Sequence, residues 1–153
     1  MFRLDQFLRL SSLKSAIFIR MKKIIFGSLA GIATSFVVNM GIVMIAMFTG
    51  TEAFRSVDPN DAEAFIEAMN SMTAADYMWP LAAHFLGIFS GLLVARILCK
   101  TSRAPLYIVV GFHMLATILN LMQIPHPTWF AVVDVMGALA IAFAFLSLKK
   151  QKN

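Results

Sequence analysis

The sequence predicts an all-α polytopic membrane protein, a bundle of four transmembrane helices with a short amphipathic helix in the first outer loop. Of its 153 residues, 59% are hydrophobic and only 14% are charged, whereas soluble domains have roughly 25% charged residues. The mean hydropathy is +0.78. The apolar residues also fall in long runs, and a helix needs about 20 such residues to cross a bilayer.

Four apolar runs reach that length, each bounded by charged residues or proline. The predicted spans are residues 24–49, 79–99, 105–123 and 128–148. They belong to one membrane domain, residues 22–148, with a basic segment 1–21 before it, an outer loop 50–78 within it and a tail 149–153 after it. The first run exceeds the 7–15 apolar residues of a signal peptide, so we expect it to stay attached.

The distribution of lysine and arginine predicts a bacterial inner-membrane protein with both termini in the cytoplasm. Basic residues gather before span one, around the connection between spans two and three, and after span four, as cytoplasmic segments do. The outer loop contains Arg55 and six acidic residues: Glu52, Asp58, Asp61, Glu63, Glu67 and Asp76. The net charge of +5 is therefore assigned to a membrane surface and gives no argument for binding nucleic acid.

Part of the outer loop has the pattern of an amphipathic helix. Asp58 is suited to cap it, with Pro59 at the first helical position. Apolar residues follow at helical spacing: Ala62, Phe65, Ile66, Met69 and Met72. The polar side is acidic, which argues against anionic lipid and favours a lid packed on the bundle.

The first twenty residues have two interpretations. Phe7, Leu10, Leu13 and Ile17 recur at near-helical spacing among basic residues, which indicates an interfacial cytoplasmic helix. Alternatively, Met21 with the two lysines after it is a typical start of a bacterial membrane protein, and residues 1–20 are then an upstream extension of the gene.

Two ridges of small residues predict how spans one and two pack. Lipid gives little drive for helix association, so small residues must let the backbones approach. At intervals of four, span one has Gly27, Gly31, Ser35 and Asn39, and span two has Ala83, Gly87, Gly91 and Ala95. We expect the two ridges to face each other in an antiparallel pair, with no implication for chemistry.

Three ionisable residues lie within spans, where a central Asp costs about 2.5–3.5 kcal/mol and needs a reason. His84 and Asp134 each lie about one and a half turns, about 8 Å, below the outer surface. Asn39 and Asn120 fall in the same outer half, whereas His113 lies deeper. Depth matching therefore predicts that Asp134 pairs first with His84.

We expect this polar cluster mainly to hydrogen-bond the helices together, with binding of a proton, metal or small ligand as the alternative. A bis-histidine haem is disfavoured because His84 and His113 differ in depth. No metal-ligand spacing, phosphate loop or nucleophile elbow occurs in the sequence. We therefore nominate no catalytic residue, metal site or cofactor.

The connection between spans three and four contains His126-Pro127-Thr128-Trp129-Phe130. Span two contains His84-Phe85-Leu86-Gly87 and then Gly91-Leu92-Leu93-Val94-Ala95-Arg96. Over roughly residues 24–148 the chain resembles small uncharacterised bacterial four-span membrane proteins that share a His-Pro-x-Trp-Phe loop. The resemblance implies a fold and a membrane but no activity. We expect His126 to be an exposed turn residue, with a place beside His84 and Asp134 as the alternative.

The function that we expect is non-enzymatic: an accessory subunit of a larger membrane complex, or a bundle that associates with copies of itself. The alternative is a small transporter or a protein that binds a ligand or metal through His84, Asn120 and Asp134. The alternative requires a water-accessible cavity, whereas a structural cluster is dry. Small four-span multidrug exporters are excluded because span one has no acidic residue.

Overall fold

The chain folds into helices connected by short segments. The structure, a computed structural model, describes residues 2–55 and 61–148 and has no strand within them. Its helices are α1 Phe2–Thr49, α2 Glu52–Arg55, α3 Ala62–Ser71, α4 Met78–Leu98, α5 Ala104–Gln123 and α6 Thr128–Ser147. Four of them, α4, α5, α6 and the Ser11–Thr49 part of α1, are long and apolar enough to cross a membrane. The predicted four-span helical class is confirmed, and the chain is a multi-pass membrane protein.

Helix α1 is one continuous helix of 48 residues, and at 1.5 Å per residue it is about 72 Å long. A hydrocarbon core is about 30 Å thick. Gly27 packs near Cys99 and Pro105, at the end of α4 and the start of α5. The earlier part of α1 therefore projects beyond the other spans, and residues 11–23 are exposed. The predicted basic segment 1–21 thus runs without a break into span one.

The small-residue ridges of α1 and α4 face each other in antiparallel directions. A Cβ atom built on Gly31 would lie 2.8 Å from the Gly91 carbonyl oxygen, and one built on Gly91 would lie 2.6 Å from the Gly31 oxygen. One built on Gly87 would lie 3.0 Å from the Ser35 oxygen. The two backbones are therefore close enough that only glycine fits at these crossings. Ala83 and Ala95 are fully buried.

Helices α4 and α5 form the centre of the bundle, with α1 and α6 on opposite sides. In the described part of the chain, α1 contacts α4 and α5 but does not approach α6. The apolar core lies mainly between α4, α5 and α6, and includes Ile88, Leu92, Val109, Ala138 and Phe145. At one end of the bundle, α1 and α5 finish and α4 and α6 begin. We call this the α3 end, because α3 packs there.

Helix α3 is capped by Asp61, whose carboxylate accepts hydrogen bonds from the N–H groups of Glu63 at 3.1 Å and Ala64 at 3.0 Å. The cap predicted from the sequence, Asp58 followed by Pro59, lies outside the described residues. The helix begins at Ala62, and Asp61 is its N-cap residue.

The last turn of α3 packs on the bundle. Met69 is buried together with Tyr77, Leu81 and Phe130, which come from the starts of α4 and α6. The Tyr77 hydroxyl donates to the Met69 carbonyl oxygen at 3.1 Å. Burial raises the pKa of Tyr77, and the charge of Asp76 raises it further. The contact is the one expected of a lid over the α3 end.

Asp76 fixes the turn between α3 and α4. Its carboxylate accepts hydrogen bonds from the Thr73 N–H at 2.8 Å, from the Thr73 hydroxyl at 2.7 Å, and from the Thr51 hydroxyl. The side chain is 1% exposed. The hydrogen bond from Thr51, with those from Thr73, outweighs burial and lowers the pKa of Asp76. Thr73 and Asp76 have the spacing of a capping box, a signal present in the sequence.

We predict that Asp76→Asn lowers stability at neutral pH by about 1.5–3 kcal/mol, the contribution of hydrogen bonds to a charged group. A carboxyl pKa that is lower in the folded state stabilises the protein above the unfolded value of about 3.9, and this stabilisation is lost as pH falls through the folded pKa. Thermal melts from neutral pH to about pH 3 should therefore show the wild type approaching the variant. A gap that stays constant with pH would contradict the prediction.

We also predict that Gly91→Ala destabilises the α1–α4 pair by about 1–3 kcal/mol, because the added Cβ would overpack against backbone atoms. Gly111→Ala is the matched control, since a Cβ there meets nothing within 4 Å. Melting temperatures of both purified variants in detergent test this. Equal effects of the two substitutions would mean that the close crossing does not limit stability.

Candidate functional site

A buried contact between a histidine and an aspartate joins α4 to α6. His84 Nδ1 lies 2.8 Å from one carboxylate oxygen of Asp134 and 2.9 Å from the other. Asp134 is 0% exposed, and Phe130 and Ala138, one turn away on either side, are also 0% exposed. This is the pairing that depth matching predicts. It provides the Asp134 carboxylate with a donor in an otherwise apolar region.

His113 of α5 lies beside this pair. Its Nδ1 is 3.3 Å from the Ser35 hydroxyl of α1, and its ring meets the His84 ring edge to face with centroids 6.0 Å apart. Counting residues from the helix ends separates the two histidines by about one turn, about 5.4 Å. Two imidazole side chains span that offset. The expected difference in depth therefore does not keep the rings apart.

The Nε2 atom of His113 is buried and has no hydrogen-bond partner within the described residues. The His113 side chain as a whole is 8% exposed. Buried polar atoms in folded proteins are nearly always hydrogen-bonded, so each exception needs an explanation.

His113 is one of the residues that line a cavity of about 210 Å³ between α1, α4 and α5. The cavity has polar lining residues from all three helices: Ser35, Asn39, His84, His113, Thr117 and Asn120. Phe36 and Phe112 contribute apolar wall. The volume is several times the roughly 30 Å³ of one water molecule. We call this space the polar cavity.

The position of the polar cavity follows from the packing of α1 on α5. These parallel helices meet where Gly27 lies near Pro105, where Gly31 lies near Val109, and where Ser35 lies near His113. The residue one turn beyond Ser35 on α1 is Asn39, which lines the cavity together with Asn120 of α5. The cavity thus extends from the contact of Ser35 with His113 toward the α3 end.

Both histidines of the cavity have one ring nitrogen engaged. An ionised carboxylate only accepts hydrogen bonds, so His84 Nδ1 carries a proton beside Asp134 and a neutral ring leaves Nε2 as an acceptor. His113 Nδ1 is engaged by Ser35, and its Nε2 is the unpaired atom. A histidine whose other nitrogen is fixed in this way is oriented to bind a ligand through Nε2.

Asn39 and Asn120, which the sequence places in the same half as His84, both line the polar cavity. Asp134 does not line it and lies behind His84 instead. Ser35 was predicted only as a packing residue, and its hydroxyl has the additional contact with His113. Phe36 and Phe112 carry no sequence signal that separates them from lipid-facing phenylalanines.

His126 lies away from the polar cavity. Its Nδ1 donates to the Ile124 carbonyl oxygen at 2.6 Å, and its ring stacks on Phe130 with centroids 4.7 Å apart and an angle of 11°. His126 is a turn residue, as expected, but it is half-buried rather than exposed, because its ring lies on Phe130. Burial lowers the pKa of His126, although the Ile124 carbonyl opposes this.

Within the described residues, no group of three or more His, Cys, Asp or Glu side chains is arranged to hold a metal ion. No family model, curated protein or solved structure matches the chain. The function must therefore be argued from the cavities themselves.

We predict that His84→Leu and Asp134→Leu each lower the melting temperature and that their effects are not additive. The double variant should reveal a coupling of about 0.6–1.7 kcal/mol, the range measured for hydrogen bonds between membrane helices. A double-mutant cycle of thermal melts in detergent measures it. Asp134→Asn, which keeps the shape and some hydrogen bonding, should be less harmful than Asp134→Leu. Additive effects would show that the pair does not hold α4 to α6.

Proposed function

We propose that this membrane protein binds a small ligand in the polar cavity and carries or senses it across the bilayer. The observation that carries the proposal is a cavity lined by polar side chains from three helices, among them His113, whose buried Nε2 atom has no partner in the described residues. A buried polar group without a partner costs about 1–3 kcal/mol. A bound ligand that reaches this atom and forms a hydrogen bond with it removes that cost.

The lining of the polar cavity restricts the chemistry of the ligand. Two imidazole rings and two asparagine side chains offer hydrogen bonds, whereas Phe36 and Phe112 offer apolar contact. A ligand that fits has a hydrogen-bonding group on a small apolar body, such as an amine or an alcohol. Pockets of this composition, mostly apolar with a few placed polar groups, are typical of small-molecule sites.

The contact between His84 and Asp134 has a supporting role in this proposal. A carboxylate that accepts from Nδ1 fixes the orientation of the ring. Asp134 is fully buried, so its contact with His84 is shielded from solvent. The pair therefore presents the His84 ring to the cavity at a fixed angle.

We further propose that the membrane is the bacterial inner membrane, with both termini in the cytoplasm and the α3 end outside. The asymmetry of lysine and arginine supports this orientation. In this orientation the polar cavity would lie in the outer half of the bilayer. The His-Pro-x-Trp-Phe loop supports a relationship to the small four-span proteins that share it.

A second candidate function is that of a subunit in a larger membrane assembly, either with other proteins or with copies of this chain. The part of α1 that projects beyond the bundle supports it. That segment exposes large apolar side chains beside basic ones: Leu13, Ile17, Phe18 and Ile19 are each more than half exposed. A partner surface or the membrane surface would cover them.

Thermal melts with a panel of small amines, alcohols, lipids and metal ions test the ligand proposal. A ligand present at a hundred times its Kd stabilises the folded state by about 2.7 kcal/mol, so we expect an increase of several degrees in Tm with at least one compound. Asn120→Leu should abolish that increase, because it removes a polar group from the wall.

Gln123→Leu is the matched control, since it exchanges the same kind of side chain on the same helix at an exposed position outside the cavity. This variant should respond as the wild type does. A response that both variants retain would place the ligand elsewhere and refute the proposal. No response at all, together with an oligomer or a bound partner in native mass analysis of the extracted protein, would favour the subunit function.

A further inference from the structure

A second cavity lies under α3, separate from the polar cavity. Its volume is about 280 Å³. Met69, Met72 and His126 line it, together with Asn70, Tyr77 and the two prolines beside His126. Two methionines and a histidine thus line the same cavity at the α3 end. We call this space the methionine cavity.

The two methionines are brought together by the end of α3. Met69 lies in its last turn, and Met72 is the residue that terminates the helix. Side chains three positions apart lie on the same face of a helix. The Tyr77 hydroxyl holds the Met69 carbonyl oxygen at 3.1 Å, which fixes this end of the helix above the cavity.

The imidazole is held by contacts that leave one nitrogen available. His126 Nδ1 donates to the Ile124 carbonyl oxygen, so in the neutral ring Nε2 has the free lone pair. Stacking on Phe130 restricts rotation of the ring. An imidazole oriented through Nδ1 by a backbone carbonyl is the usual arrangement of histidines that bind metals through Nε2.

We propose that the methionine cavity binds a Cu(I) ion through the sulfur atoms of Met69 and Met72 and the Nε2 atom of His126. Thioether sulfur is a soft ligand that selects Cu(I), whereas Mg²⁺ and Ca²⁺ require oxygen ligands. The three ligands carry no negative charge, which suits a monovalent cation better than Zn²⁺ with its thiolate and carboxylate ligands. Among the described residues, no carboxylate lines the cavity.

The competing explanation is that the methionines only fill space, as flexible apolar side chains often do. Filling space does not account for a histidine in the same lining whose Nδ1 is fixed by a backbone carbonyl. It also predicts that leucine, which is similar in volume, can replace both methionines without any change in metal binding. The two explanations therefore differ in a measurable quantity.

The test measures copper bound to the purified full chain in detergent. All samples carry Cys99→Ala, because the single thiol of the sequence would itself bind Cu(I). The protein is loaded with Cu(I) without oxygen, freed of unbound metal and analysed for copper. We expect about one ion per chain in the parent and background copper in the variant with both Met69→Leu and Met72→Leu.

The control variant carries Met122→Leu and Met136→Leu. Both methionines lie outside the cavity and are strongly exposed, so the control should keep its copper. His126→Phe, which preserves a ring on Phe130, should lose it. Thermal melts of the metal-free variants check that each is folded, and Met72→Leu alone provides the mildest change. The proposal is overturned if the parent binds no copper. It is also overturned if the double variant and the Met122 and Met136 control bind the same amount of copper.

Discussion

The close crossing of α1 and α4 is the constraint on which the rest of the arrangement depends. At Gly31 and Gly91 the two backbones approach so closely that a side chain on either residue would collide with the carbonyl oxygen of the other. Because lipid does not press helices together, this fit fixes how far each helix is shifted along its neighbour. The shift brings Ser35 to His113. One turn further, Asn39 of α1 and Thr117 of α5 line the polar cavity.

The first two turns of α6 connect the two cavities. Phe130 stacks on His126, which lines the methionine cavity, and Asp134, one turn later on the same face, binds His84 in the wall of the polar cavity. Both α6 residues are fully buried. A rigid apolar ring and a paired carboxylate on one helix therefore orient the imidazoles of two separate sites. A shift of α6 along its axis would disturb both sites together.

The sequence was sufficient for features that depend on one helix or on matching depth. Apolar runs predicted four spans, and depth alone paired His84 with Asp134. Features that depend on side-chain reach or on loop path were not predictable in this way. His113 reaches His84 across a turn of offset, and His126 is folded onto Phe130 by its flanking prolines. Asp76 counted only as an acidic loop residue, although its spacing from Thr73 was the available signal of a capping box.

The distinction between a structural and a functional role applies to different members of the polar cluster. The carboxylate of Asp134 and the Nδ1 atom of His84 satisfy each other, as a contact that holds helices together should. The Nε2 atom of His113, a residue that lines the cavity, is buried without a protein partner in the described residues. Packing alone would favour an apolar residue there, because an unpaired imidazole nitrogen destabilises the fold. We infer that the first set of atoms holds the bundle together and that the second is kept for a ligand.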